Sequence, residues 1–247
     1  AANIIKKRFG ENAEYVVDLY GSLSMTGKGH LTDYIIHETL GENCQVNFCE
    51  ETLPFHPNGM VFHIYQDGEL KDDITAYSVG GGSIVWEGED DFSLSRKNVY
   101  REILETLDRN AYSFYDYVME HENALFVDYL YEILDTMFDS VERGLKREGT
   151  IPGKLQLPRV AKQMYTQAIN LPAGSERETL ILSSYAYAVA EENASGQTIV
   201  TAPTCGSSGV LPAILYYCYK QLNVEKPRLI KALAVAGVFG NVIKNNA

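Results

Sequence analysis

Four short stretches carry the side chains that could do chemistry. The first is Gly21-Ser22-Leu23-Ser24-Met25-Thr26-Gly27-Lys28-Gly29-His30. Its glycines, hydroxyls and lysine imitate a phosphate-binding P-loop, and the imitation fails twice. Five residues lie between Gly21 and Gly27 where that loop has four, and Gly29 stands where a magnesium-binding hydroxyl should follow the lysine. A Gly-rich turn between a strand and a helix still offers backbone N–H groups to an anion such as a substrate carboxylate, with Ser22 and Thr26 beside it. Tight-turn geometry alone accounts for the same glycines. His30 is a candidate base, acid or carboxylate partner; the plainer reading is a residue that caps the next helix.

The second stretch is Leu53-Pro54-Phe55-His56-Pro57-Asn58-Gly59-Met60. Pro57 and Gly59 fix a turn, so His56 and Asn58 project from a rigid corner suited to polar recognition. Asn-Gly as turn punctuation explains half of this without function. In the third, Tyr77-Ser78-Val79-Gly80-Gly81-Gly82, the glycines let the backbone approach a ligand or merely a neighbouring strand. The fourth runs from Glu191-Glu192-Asn193-Ala194-Ser195-Gly196 to Thr201-Ala202-Pro203-Thr204-Cys205-Gly206-Ser207-Ser208-Gly209-Val210-Leu211-Pro212. Thr204, Cys205, Ser207 and Ser208 crowd the start of a helix. A cysteine there has its thiolate stabilised, as a metal ligand or nucleophile requires; the alternative is a well-made N-cap with an incidental buried cysteine.

These stretches need elements to hold them. Tyr15–Tyr20 reads as a strand, Gly21–Gly29 as a loop, and Leu31–Leu40 as a helix closed by Gly41. Gln45–Phe48 is a candidate strand. Met60–Tyr65 alternates, Asp67-Gly68 gives hairpin chemistry, and the return runs through Ile74–Tyr77, with a further strand at Ser83–Trp86. The acidic Glu87-Gly88-Glu89-Asp90-Asp91 reads as a linker. Beyond it apolar residues follow helical spacing: Tyr100, Ile103, Leu104, Leu107, then Phe126 to Val141, ending at Arg143-Gly144. Pro158 opens a third helix, Glu178–Glu192 is a fourth, Pro212 lies just inside a fifth, and a sixth begins at Arg228. The class is α+β, with a small α+β domain over 1–88 and an all-helical domain over 89–247.

A net charge of -12 over 247 residues argues against a nucleic-acid surface, which needs a clustered basic face. No stretch reaches the roughly 18 to 20 apolar residues of a membrane span. Four cysteines in a chain without a secretory signal point to reduced thiols and the cytoplasm. Ala1 is no initiator methionine, and the apolar run Ala232–Gly240 ends close to Ala247; both suggest a piece of a longer chain.

Taken in order, these motifs resemble the iron–sulfur-dependent L-serine dehydratases. Leu19-Tyr20-Gly21-Ser22-Leu23 through Thr26-Gly27-x-Gly29-His30-x-Thr32-Asp33 is similar to the signature of the family's beta domain, with His56-Pro57-Asn58-Gly59-Met60 and Tyr77-Ser78-x-Gly80-Gly81-Gly82 as later landmarks. Glu192-Asn193-Ala194-x-Gly196 followed by Ala202-Pro203-Thr204-x-Gly206 looks like the core of the alpha domain, as does Gly149-x-Ile151-Pro152-Gly153-x-Leu155-x-Leu157-Pro158-Arg159. The resemblance covers nearly the whole chain, from about Val17 to Ala247.

It implies a lyase that converts L-serine to pyruvate and ammonia with a 4Fe–4S cluster held by three cysteines, an open iron acting as Lewis acid on the serine hydroxyl. It implies no pyridoxal phosphate, and a homodimer. By the same resemblance His30 and His56 are catalytic, while Ser22, Thr26, Asn58, Asn193 and Thr204 bind substrate. Cys205 is the candidate metal ligand, although many members have cysteine where this chain has Ser208 and another residue at 205. A serine oxygen is a poor substitute for a thiolate on a soft cluster. Two family elements are not among these residues: a Pro-Ser-Ser-Ser-His-Thr substrate loop and a Glu-Val-Gly-Cys-rich segment bearing further ligands. Ser208 motivates a second reading, a cluster-free relative that binds an amino acid; a third is a relative acting on cysteine.

Overall fold

The structure, a computed structural model, describes residues 1–28, 31–79, 83–88, 99–152, 155–201 and 205–246. The chain divides into two compact units, Ala1–Leu94 and Ser95–Ala247. Each has its own buried apolar cluster.

The first unit runs α1 (Ala2–Phe9), β1 (Glu14–Leu19), α2 (Gly21–Gly27), α3 (Thr32–Leu40), β2 (Cys44–Phe48), β3 (Gly59–Gln66), β4 (Glu69–Ser78) and β5 (Ile84–Trp86). The strands form one sheet in the order β2-β1-β3-β4-β5; β1 and β2 are parallel and the other pairs antiparallel. Period two in the sequence creates its faces. Tyr15, Val17 and Leu19 are buried while Val16 and Asp18 are half-buried; Phe62 and Ile64 are buried while Val61 and His63 are half-buried. Val17 pairs with Val46 on one side and Phe62 on the other, so the apolar sets coincide across three strands. Ile5 of α1 and Ile36 and Leu40 of α3 belong to the same cluster. Burying a side chain of this size contributes about 1.5–3 kcal/mol. The β3–β4 turn has positive φ at both Asp67 (53°) and Gly68 (78°), as a two-residue hairpin turn matched to strand twist requires.

Gly21–Gly27 is a helix where the sequence suggested a loop. Gly21 turns the chain with φ 53°, no proline or glycine interrupts Ser22 to Thr26, and the Thr26 hydroxyl donates to Ser22 O at 2.7 Å.

The second unit is helical: α4 (Val99–Asn110), α5 (Phe114–His121), α6 (Phe126–Lys146), α7 (Ala161–Asn170), α8 (Ser175–Asn193), α9 (Val210–Gln221) and α10 (Lys226–Asn246). α8 packs against α6, α7 and α9. Two glycines bring it close to its neighbours. A Cβ on Gly144 would lie 2.3 Å from Ala188 O, and one on Gly209 would lie 2.5 Å from Ala186 O. Gly144 therefore serves packing and does not end α6, which continues to Lys146. Pro158 does not open α7 either; it forms an isolated bridge with Thr150, and the helix starts at Ala161. α5, which apolar spacing did not reveal, begins with a capping box in which Ser113 and Asp116 exchange hydrogen bonds. No described helix is long and apolar enough to cross a membrane.

Candidate functional site

In the first unit, three of the motifs meet at one end of the sheet. β1 ends at Leu19, and Tyr20 N–H donates to Gly59 O at 3.0 Å. Gly21 N–H donates to Glu51 O and Ser22 N–H to Pro57 O. A Cβ on Gly21 would sit 2.3 Å from Pro57 O, so only glycine permits this approach. Ser78 N–H donates to Asn58 O, and Asn58 Nδ2 donates back to Ser78 O at 3.2 Å. The rings of Phe55 and Tyr77 lie 4.8 Å apart between centroids. Ser22, His56, Asn58 and Ser78 thus share one corner. The Gly21 and Ser22 N–H groups are bonded to backbone carbonyls, so these two are not donors to an anion.

Asn58 N–H donates to His56 Nδ1 at 3.1 Å. An acceptor at Nδ1 places the proton of the neutral ring on Nε2. His56 Nδ1 is thereby engaged as an acceptor inside the turn, and Nε2 is the ring nitrogen left for another partner. Two thiols in this unit resist ionisation. Burial pushes Cys44 up to about 11. Burial with the nearby Asp18 charge raises Cys49, opposed by a hydrogen bond with Tyr20.

In the second unit, α8 ends in a buried acidic pair. Glu192 is fully buried and Glu191 nearly so. Three arginines surround them. Arg143 Nε donates to Glu192 Oε2 at 3.0 Å. Arg147 Nε lies 3.2 Å from Glu192 Oε1, an ion pair without hydrogen-bond alignment. Arg159 Nη1 lies 3.8 Å from Glu191 and 3.7 Å from Glu192. Glu191 Oε1 accepts from the Val160 and Ala161 N–H groups at 2.6 and 3.0 Å, so a carboxylate caps α7. Beside this network Asn193 Nδ2 donates to Cys205 O at 3.4 Å, and Ser208 Oγ donates to the same oxygen at 2.7 Å.

The Cys205 thiol is exposed. It lies in a turn before α9, whose cap is Gly209, so the stabilising first turn of the helix is not beside it. Ser208 is fully buried and turns back to Cys205 rather than capping the helix. Asn193 and Cys205 are together, Ser22, His56 and Asn58 are together, and Thr26 sits one turn along α2. His30 and Thr204 lie outside the described residues. Glu191, Glu192, Arg143 and Arg147 went unnoticed as functional residues in the sequence. Their signal was present: position 192 continues the buried stripe of Ile181, Tyr185 and Ala188, where a charge is out of place.

An iron–sulfur cluster needs several thiolates converging on one point. Among the described residues no group of three or more His, Cys, Asp or Glu side chains is placed to hold a metal ion. Cys205 is one exposed thiol, and the Ser208 hydroxyl is bonded inward to Cys205 O. The described residues therefore do not fit a cluster by themselves.

An α+β module followed by a helical one, each with a cluster of motif residues, defines a two-module chain. Residues 82–247 match the family described as serine dehydratase alpha chain, and residues 37–89 match serine dehydratase beta chain. The chain belongs to the serine dehydratase family. It is 33% identical to the L-serine dehydratase TdcG of Escherichia coli over 94% of this chain and 63% of that protein. It is 32% identical to the L-serine dehydratase of Haemophilus influenzae over 99% of this chain and 66% of that protein. The chain thus spans a little less than two thirds of the length of these curated relatives.

Proposed function

We propose that this chain is part of an L-serine dehydratase, a lyase releasing pyruvate and ammonia from L-serine. The observation that carries the reading is the convergence of the family motifs into two corners, Ser22 with His56, Asn58 and Ser78, and Asn193 with Cys205. The reaction breaks the α-C–H and β-C–O bonds of serine, and the resulting enamine tautomerises and hydrolyses. Ser22 and the remaining N–H groups of Asn58 and His56 are donors suited to the substrate carboxylate. His30 and His56 are the candidate catalytic residues; with His56 Nδ1 engaged by the Asn58 N–H, His56 is the candidate to orient or donate and His30 the candidate to abstract the proton. Asn193 and Thr204 remain the candidate contacts in the second unit. Dependence on a 4Fe–4S cluster belongs to the proposal for the full-length protein, acting as a homodimer in the cytoplasm. Cys205, the exposed one of the four free cysteines, is the candidate ligand.

Anaerobic reconstitution of the full-length protein with iron and sulfide tests the reading. Iron–sulfur absorbance and pyruvate from L-serine are expected, with both lost in Cys205→Ser. No pyruvate from serine would overturn it. The inward hydroxyl of Ser208 favours one second reading, a cluster-free relative that binds an amino acid. That reading predicts serine binding by calorimetry with neither absorbance nor pyruvate. Sulfide release from L-cysteine exceeding pyruvate from serine would instead assign a relative acting on cysteine.

A further inference from the structure

The three arginines do more than neutralise two buried glutamates. Each also bonds the segment that leaves α8 toward Cys205. Arg143 Nη2 donates to Thr198 O at 2.6 Å, Arg147 Nη2 to Gln197 Oε1 at 3.0 Å, and Arg159 Nη2 to Ser195 Oγ at 2.5 Å. Ser195 Oγ in turn donates to Glu191 O, and Gln197 N–H to Glu192 O. Every arginine therefore reaches a glutamate of α8 with one part of its guanidinium and residues 195–198 with another. A guanidinium is planar and presents donors along two edges, which is why one side chain can serve both.

The arrangement is not a cheap way to stabilise a helix end. Taking charged groups from water costs several kcal/mol per ion, and a buried ion network is on average no more stable than apolar packing. A fixed geometry is what such a network offers beyond stability. Here that geometry fixes the path of the chain after α8. The C-terminal end of α8, negative by its own dipole, is the least favourable place for Glu191 and Glu192 without their cations. The arginines come from α6 and from the segment before α7, so the turn is referenced to two other elements. Asn193, the residue directly after the acidic pair, bonds the Cys205 carbonyl.

We propose that Arg143, Arg147 and Arg159 form a clamp that positions residues 195–198 and, with Asn193, the turn bearing Cys205. They are positioning residues and touch no substrate. The inference rests on the place of Cys205 at the candidate site but not on serine being the substrate.

The test is peptide-resolved hydrogen exchange on the full-length protein. Arg147, whose side chain is 38% exposed, is the milder variant, and Arg143→Gln the stronger one. Arg147→Gln should speed exchange in peptides covering 195–201 and 205–209 by roughly tenfold, the scale of a broken local coupling. Peptides from the middle of α6 should not change. Lys226→Gln, which removes an exposed ion pair between α10 and α6, should leave every one of these peptides unchanged. Faster exchange confined to 195–201 would show that the clamp does not reach Cys205 and would overturn the proposal. Unchanged exchange at both sites, or uniformly faster exchange through the helical unit, would overturn it as well. A failure of serine turnover with the clamp pattern intact would sink only the proposed function.

Discussion

His63 on β3 stands between two carboxylates. Its Nδ1 lies 2.6 Å from Asp73 Oδ1 on β4 and its Nε2 3.2 Å from Asp18 Oδ2 on β1. Asn47 on β2 donates to the other oxygen of Asp18 at 2.8 Å, so four adjacent strands are joined. A neutral ring has one N–H and would leave a lone pair facing a carboxylate; only the imidazolium satisfies both. Burial lowers the pKa of His63, but the hydrogen bonds and charges of Asp73 and Asp18 outweigh it and the net shift is upward. A folded pKa above the unfolded value means stabilisation present below the ordinary histidine pKa and lost as pH rises through the folded value. Trp86 is the single tryptophan and lies in the first unit, so its fluorescence reports that unit. The urea midpoint followed by Trp86 should fall as pH rises past the ordinary histidine pKa and through the raised folded value, and should be flat in His63→Gln. An equal slope in both proteins would remove His63 from the account. At the other site, Glu192→Ala should destabilise the helical unit by about 3–5 kcal/mol, because Arg143 and Arg147 would lose their buried counter-charge.

Among elements, α8 decides most. Its close approach to α6 depends on Gly144 having no side chain. Gly144→Ala should cost about 1–3 kcal/mol or more, since the added methyl meets backbone rather than a movable side-chain tip. Gly237 in α10 has nothing within 4 Å of a built Cβ. Gly237→Ala should therefore stabilise, by up to about 1 kcal/mol, through helix propensity alone. Thermal denaturation followed by ellipticity at 222 nm checks the pair. Two shifts of the same sign would show that the packing argument fails at one position. Gly209 repeats the arrangement against Ala186 O, which places the start of α9 and the turn before it.

At the scale of the molecule, the two buried clusters share no residue. Mutational effects at well-separated sites with no common partners usually add without coupling. Glu192→Ala should lower the midpoint seen at 222 nm, where helices dominate, and leave the Trp86 midpoint in place. Movement of the Trp86 midpoint by the same amount would mean one cooperative transition for both units.

The amino-acid sequence by itself determined what local rules govern. The strand at β1, the alternation in β3, the Asp67-Gly68 hairpin, the helical stripe of α6 and the α+β class follow from side-chain period and turn chemistry, which act over a few residues. The family was also legible, because its motifs occur in order. What sequence could not show is what two distant segments do to each other. The period of α6 did not reveal that Gly144 is a contact with α8, nor did Pro158 reveal that α7 waits for Ala161, where Glu191 accepts the first N–H groups. His56 read as a candidate catalytic residue, yet its tautomer is set by the Asn58 N–H in the folded turn. In the sequence the acidic pair of α8 is only part of a motif. Only the tertiary structure brings Arg143, Arg147 and Arg159 around it, because burying a charge depends on partners that lie 32 to 49 residues away in the chain.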